Sequence, residues 1–157
     1  MTEQSTVHRS VRIEAPAEAI LPLVRDFTEW PAWSPWEGQD ADMQRSYTGT
    51  PGAVGSTYSW SGNRKAGAGT MRATVITPTE VEVALQFTKP FKSTSEVQFD
   101  LAPTADGRGT EVVWTMRSPK TRMSRVMGAV LNLEKFIGRD FEKGLAQLKA
   151  AVERDRA

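Results

Sequence analysis

Few groups in this chain could move a proton or hold a metal. There is no cysteine and a single histidine, which excludes a thiol nucleophile, a thiolate metal site and a disulfide scaffold. No second ligand clusters around His8, so no zinc site is read there, and its place among alternating polar residues points it to solvent. A Ser-His-Asp grouping, a phosphate-binding loop and a dinucleotide fingerprint are all missing from the sequence. Two side chains remain for acid–base work, Glu134 and Tyr58. A carboxylate buried without a partner is driven toward its protonated form and can serve as general acid or base. A phenol can donate a hydrogen bond to a carbonyl. No obvious second catalytic group accompanies either.

Glu134 stands out because of the element that carries it. From about Ser124 to Glu153, Met127, Val130, Leu131, Phe141, Leu145, Leu148 and Val152 fall on one stripe, with Met123 just ahead of it, at 100° per residue. Glu134 and Gly138 lie on its centreline, within about 20° of the mean direction. Solid packing would place leucine there, since burying a carboxylate is costly and glycine costs about 1 kcal/mol of helix stability. The spacing therefore predicts a helix that walls an internal cavity. Three readings of Glu134 stay open: a ligand-facing anchor, a partner for a sheet arginine such as Arg9, or a side chain that escapes to solvent at a helix bend.

The rest of the chain must supply the opposite wall. Val7 to Glu14 reads as a strand, and Ala17 to Asp26 as a short helix with Ile20, Leu23, Val24 and Phe27 inward. Pro22 should kink that helix or shift its start. Three of the five tryptophans, Trp30, Trp33 and Trp36, then fall within seven residues, spaced by prolines. A stacking platform for bases would need a field of basic residues, so the cluster reads as a hydrophobic corner plugging the core. From about Asp42 to Arg117 turn residues punctuate a meander of strands. One face carries Val54, Tyr58, Trp60, Met71, Ala73, Val75, Val81, Val83, Leu85, Phe87, Val97, Phe99, Leu101, Val112, Trp114 and Met116. The other face is polar, as expected of an antiparallel sheet covered on one side.

These elements predict an α+β helix-grip fold over 1–157 as a single ligand-binding domain. A curved antiparallel sheet of about seven strands would wrap the long C-terminal helix, with two short helices between the first two strands. The cavity between sheet and helix would be lined by Tyr58, Trp60, Met71, Phe87, Trp114 and Met116, facing Met127, Val130, Leu131, Glu134 and Gly138. Aromatic and thioether groups make an adaptable apolar wall. Tyr58 is read as the one inward-facing tyrosine. In a meander, alternate loops emerge together, so one end gathers Arg64, Lys65, Lys89, Lys92, Lys120 and Arg122 with no acid. That is either a basic rim at the pocket mouth, suited to an anionic head group or a transient contact with an anionic membrane surface, or an ordinary set of solvated loops.

Composition narrows the partners. Twenty basic residues balance nineteen acidic ones, which argues against a nucleic-acid binder. The first residues lack a signal-peptide pattern, and no apolar run reaches a membrane span of roughly 18 residues. The expectation is a cytoplasmic monomer or homodimer with no transmembrane segment, metal or cofactor, whose partner is a hydrophobic small molecule.

Three stretches also carry a resemblance. Asp26-Phe27-Thr28-Glu29-Trp30-Pro31-Ala32-Trp33-Ser34-Pro35-Trp36, Gly52-Ala53-Val54-Gly55-Ser56-Thr57-Tyr58-Ser59-Trp60 and Asp140-Phe141-Glu142-Lys143-Gly144-Leu145-Ala146-Gln147-Leu148-Lys149 resemble bacterial SRPBCC proteins. That superfamily is the polyketide cyclase/dehydrase and lipid-transport group related to START domains. The resemblance spans nearly the whole chain and implies the helix-grip fold and its cavity. Activity is not implied, because the group includes lipid binders, hormone receptors and cyclases. Three functions are therefore weighed: a carrier or sensor of a hydrophobic ligand, a cyclase/dehydratase using Glu134 or Tyr58, and a partner-binding module like co-chaperone relatives. The first needs only a dry cavity, a mouth and a few polar anchors.

Overall fold

A computed structural model describes residues 4–35, 43–62, 67–89, 92–119 and 133–155, the side chains of 4, 5, 119, 133–136 and 155 excepted. Seven strands form one antiparallel sheet: β1 (Gln4–Ile13), β2 (Gln44–Thr48), β3 (Thr57–Ser61), β4 (Ala68–Thr77), β5 (Glu80–Lys89), β6 (Ser93–Pro103) and β7 (Thr110–Pro119). Their order is β1-β7-β6-β5-β4-β3-β2, a meander whose last strand returns to pair with the first. Between β1 and β2 lie α1 (Ala17–Arg25) and a 3-10 helix (Phe27–Ala32), and the described chain ends in α2 (Leu133–Asp155). This is the helix-grip arrangement. The expected stretch of helix before Leu133 lies outside the described residues.

Alternation placed most of the dry face correctly, with three differences. A bulge in β4 sets Ala73 opposite Val83 but Val75 opposite Glu82, so Ile76, opposite Val81, takes the inward place expected of Val75. One extra residue on a bulged strand reverses which side chains face in. Val54 is 60% exposed because it sits in the turn before β3. Tyr47 pairs with Tyr58 and so shares its face, although at the sheet edge it is 40% exposed. His8 is exposed, as its alternation requires.

The tryptophan corner is a plug that also finishes α1. Pro22 lies inside α1 without ending it. The Trp30 indole donates to the Val24 carbonyl and the Trp33 indole to that of Leu23, each at 2.8 Å. Both carbonyls belong to the last turn of a helix, where no backbone donor is available. The same rings meet Phe99 and Trp114 edge-on. Trp36 lies outside the described residues.

Helix α2 runs parallel to β1. Gly138 faces Arg9, Phe141 lies on Trp114, Lys149 donates to the Arg12 carbonyl at 2.9 Å, and Glu153 accepts from the Glu14 amide at 3.0 Å. Phe141, Leu145, Leu148 and Val152 are fully buried. An exposed clamp tightens this end: Arg12 bridges Glu14 at 2.6 Å and Asp106 at 2.7 Å, and Lys149 bridges Glu153 at 2.6 Å. Hydrogen bonds from Arg12 first, then from Thr104 and the Arg108 amide, hold the Asp106 carboxyl far below its ordinary range. The Glu14 amide and Lys149 lower Glu153 in the same direction.

Two measurements test this packing. A Cβ on Gly144 would fall 2.8 Å from Pro35 Cδ and 2.9 Å from Trp114 Cζ3, both fixed, so Gly144→Ala should cost about 1–3 kcal/mol in urea unfolding. On Gly138 the Cβ would meet only the end of the flexible Arg9 side chain, and the helix preference for alanine, about 1 kcal/mol, offsets that displacement. Equal losses for the two variants would refute the assignment of rigid and yielding contacts. Asp106 has a lowered folded-state pKa, so its stabilisation is complete above the unfolded value, about 3.9, and declines as pH falls below it. The melting-temperature gap between wild type and Asp106→Asn should be flat from pH 7 to about 5 and shrink in more acid solution. High salt should also narrow it, the pair being exposed.

Candidate functional site

Residues directly opposite in an antiparallel sheet share a face, so the register reads out the concave wall row by row. One row is Ile76, Val81, Phe99, Trp114 and Arg9; the next is Ala73, Val83, Val97, Met116 and Val7. Then come Tyr47, Tyr58, Met71, Leu85 and Ser95, continued by Ser118, and last Arg45, Trp60, Gly69, Phe87 and Ser93.

Burial changes along these rows. In the first, Val81 and Phe99 are 0% exposed and Trp114 is 1% exposed. Tyr58, Met71, Leu85 and Ser95 reach 6–9%, and Trp60, Phe87 and Met116 are only half-buried. The wall is therefore sealed where α2 packs and progressively open toward the other end of β3, β5 and β7. At the open end the rings are held in place by one another. Tyr58 stacks on Trp60 with centroids 5.8 Å apart, and Phe87 meets Trp60 edge-on at 5.6 Å. The Trp60 ring occupies the space a side chain at Gly69 would fill, where a Cβ would stand 2.7 Å from its Cη2.

Of the residues named from sequence as lining, the structure brings Tyr58, Trp60, Met71, Phe87 and Met116 together on this wall. Trp114 stands elsewhere. Its indole lies between Phe141, at 4.0 Å and 10°, and Phe99, at 5.0 Å and 26°, so protein rings take both faces. Gly138 also has a protein neighbour: a Cβ there would run into the Arg9 guanidinium. The room that this glycine opens in the helix stripe belongs to a guanidinium, which reaches across from the inner face of β1 and lies 3.4 Å from Glu142. Met127, Val130 and Leu131, and the Glu134 side chain, lie outside the described residues. So do Arg64, Lys65, Lys120 and Arg122, whereas Lys89 and Lys92 are exposed beside the open end.

Sequence reasoning missed a pair of hydroxyls. Ser95 and Ser118 are hydrogen-bonded at 2.7 Å on the concave face. The signal was available, since Leu101, Phe99 and Val97 step inward to Ser95, and Trp114 and Met116 to Ser118. A serine in a dry row was not read as part of the wall. Among the described residues the one carboxylate shifted upward is on the outer face: Glu82 is raised first by its hydrogen bond with Glu80, then by desolvation and the charges of Glu80 and Glu96. Among the described residues no cluster of three or more histidine or acidic side chains could hold a metal. No described helix is long and apolar enough to cross a membrane.

A curved antiparallel sheet gripping one C-terminal helix, its concave face sealed at one end and apolar and open at the other, defines a helix-grip protein. A model of the family described as polyketide cyclase / dehydrase and lipid transport matches residues 4–153, and the chain belongs to that family. Similar solved structures include MLL2253 from Mesorhizobium loti, with 16% identity, a TM-score of 0.69 and coverage of 96% of this chain and 98% of that one. The Aha1 dimer from Colwellia psychrerythraea has 20% identity and a TM-score of 0.64, with 95% and 96% covered. DynU16, of the dynemicin biosynthetic locus, has 15% identity and a TM-score of 0.63; 94% of this chain matches 47% of that one. At such identities the likeness concerns the fold. No curated protein matches the chain.

Proposed function

We propose that the open part of the concave face holds a small hydrophobic molecule, and that the protein is its carrier or sensor. The observation that carries this reading is the gradient of burial: Trp60, Phe87 and Met116 belong to the same inner face as Phe99 and Trp114 but stay half-buried. Covering about 100 Å² of such surface is worth roughly 2–3 kcal/mol, and the mutual ring contacts mean little ordering of the wall is needed on binding. The lipid-transport part of the family description is consistent with it. Exposed Lys89 and Lys92 beside the opening favour an amphiphile whose head is anionic. A cyclase/dehydratase in the same cavity is the competing reading. Among the described wall residues, though, the ionisable inward groups near the opening are the Tyr58 and Tyr47 phenols and the edge-strand Arg45, and none is a carboxylate or histidine that could pair with them as a general base.

Native mass spectrometry of freshly purified protein should reveal a retained small molecule. Phe87→Ala should weaken binding of dodecanoate about tenfold, read by displacement of a polarity-sensitive dye, with the fold retained and the melting temperature lowered by only a few degrees. Replacing Lys89, Lys92 and Lys120 by Gln should weaken dodecanoate at low salt and leave dodecanol unaffected; equal affinities would remove the basic rim from the proposal. Dye and dodecanoate both failing to bind wild type would defeat the container reading. Turnover of an offered poly-ketone, lost in Tyr58→Phe, would favour the enzyme.

A further inference from the structure

Building on the container reading, we infer that the Ser95–Ser118 pair is the polar anchor of the site and selects a ligand whose buried oxygen is uncharged, a ketone or a hydroxyl. The pair occupies the inner face of β6 and β7, with Leu85 across from Ser95 and Val97 and Met116 one row nearer the sealed end. Ser95 is 8% exposed and Ser118 half-buried, so water serves the Ser95 hydroxyl poorly and reaches the pair only from the open side.

Each hydroxyl has one proton to give and two lone pairs. The mutual bond at 2.7 Å uses one proton and one lone pair, and either oxygen can be its donor. Whichever donates, the other still has its own proton, and no further bond from either side chain is present among the described residues. Buried hydroxyls normally complete their bonding. A ligand oxygen would complete this one, and because the two serines can exchange roles, the pair can donate to a ketone or accept from a hydroxyl.

Charge decides the class. An anion buried against two neutral hydroxyls needs a cation close by. The nearest described inward cation on these two strands' side of the sheet is Arg9, two rows toward the sealed end, about 13 Å along the strands. Its guanidinium is already placed over Gly138 and near Glu142. Arg45 is on the far edge strand, and Lys89 and Lys92 are exposed at the rim, where a charge stays hydrated. An ionised head group fits the rim, and an uncharged oxygen fits the pair.

A simple cross-strand tie between β6 and β7 would give the same hydrogen bond, so the test reads ligand discrimination. The probes are 2-naphthol, 2-methylnaphthalene and 2-naphthoate, titrated by tryptophan fluorescence into wild type and Ser95→Ala/Ser118→Ala. Removing both partners together leaves no orphaned group and should alter the melting curve little. The double variant should bind 2-naphthol roughly five- to tenfold more weakly, the loss of one net hydrogen bond, while 2-methylnaphthalene and 2-naphthoate change by less than about twofold. Should the double variant fold poorly, Ser118→Ala alone should show the same selective loss at about two- to fourfold, since Ser95 can still donate. Undiminished 2-naphthol binding would overturn the anchor, and an equal loss for 2-naphthoate would overturn its preference for an uncharged oxygen. If none of the probes binds wild type, the container reading fails and this inference with it.

Discussion

The stack of Phe99, Trp114 and Phe141 sets the geometry on which the other features depend. Trp114 lies in the interior of the sheet, and Phe141 brings α2 flat onto it at 4.0 Å. Three large rings in parallel contact bury several hundred Å² of apolar surface, a large share of what a helix–sheet interface can supply. The close approach relies on Gly144, whose missing side chain admits Pro35 and the edge of Trp114. Trp30 and Trp33 close the same cluster from the side while completing α1. One cluster therefore joins the helix, the sheet and the connection between β1 and β2.

Docking the helix at that point divides the concave face. From Arg9 toward Ile13 the helix follows β1 closely, ending in an exposed ionic clamp that adds register more than energy. Toward the other end the wall grows less buried, through Met116 to Trp60 and Phe87. A curved sheet and a straight helix cannot remain in contact along their full lengths. Close contact at one end thus coexists with half-buried rings at the other, on one continuous inner face.

The outline was readable from the chain because it depends on periodicity. Alternation such as Val97, Phe99 and Leu101 defines strands and their inner face, and the stripe from Phe141 to Val152 defines the packed half of the helix. The tryptophan corner was readable too, since prolines between large aromatics leave a plug as the economical use of those rings. Position along the face was harder. Trp114 and Trp60 look alike in sequence but stand three rows apart, and one is enclosed by two rings while the other is half-open. Ile76 replaced Val75 because a bulge moves the register without any mark in composition.

By itself the amino-acid order determined the elements, their inner and outer sides and the family to which they belong, because local spacing and turn chemistry act over a few residues. Only the tertiary structure decided what fills each vacancy. The gap left by Gly138 receives Arg9, and that left by Gly69 receives Trp60. Two serines from different strands become a single polar feature on an apolar wall. Such pairings depend on which distant segments are brought within a few ångströms, and that is set by register and helix docking, which periodicity does not encode.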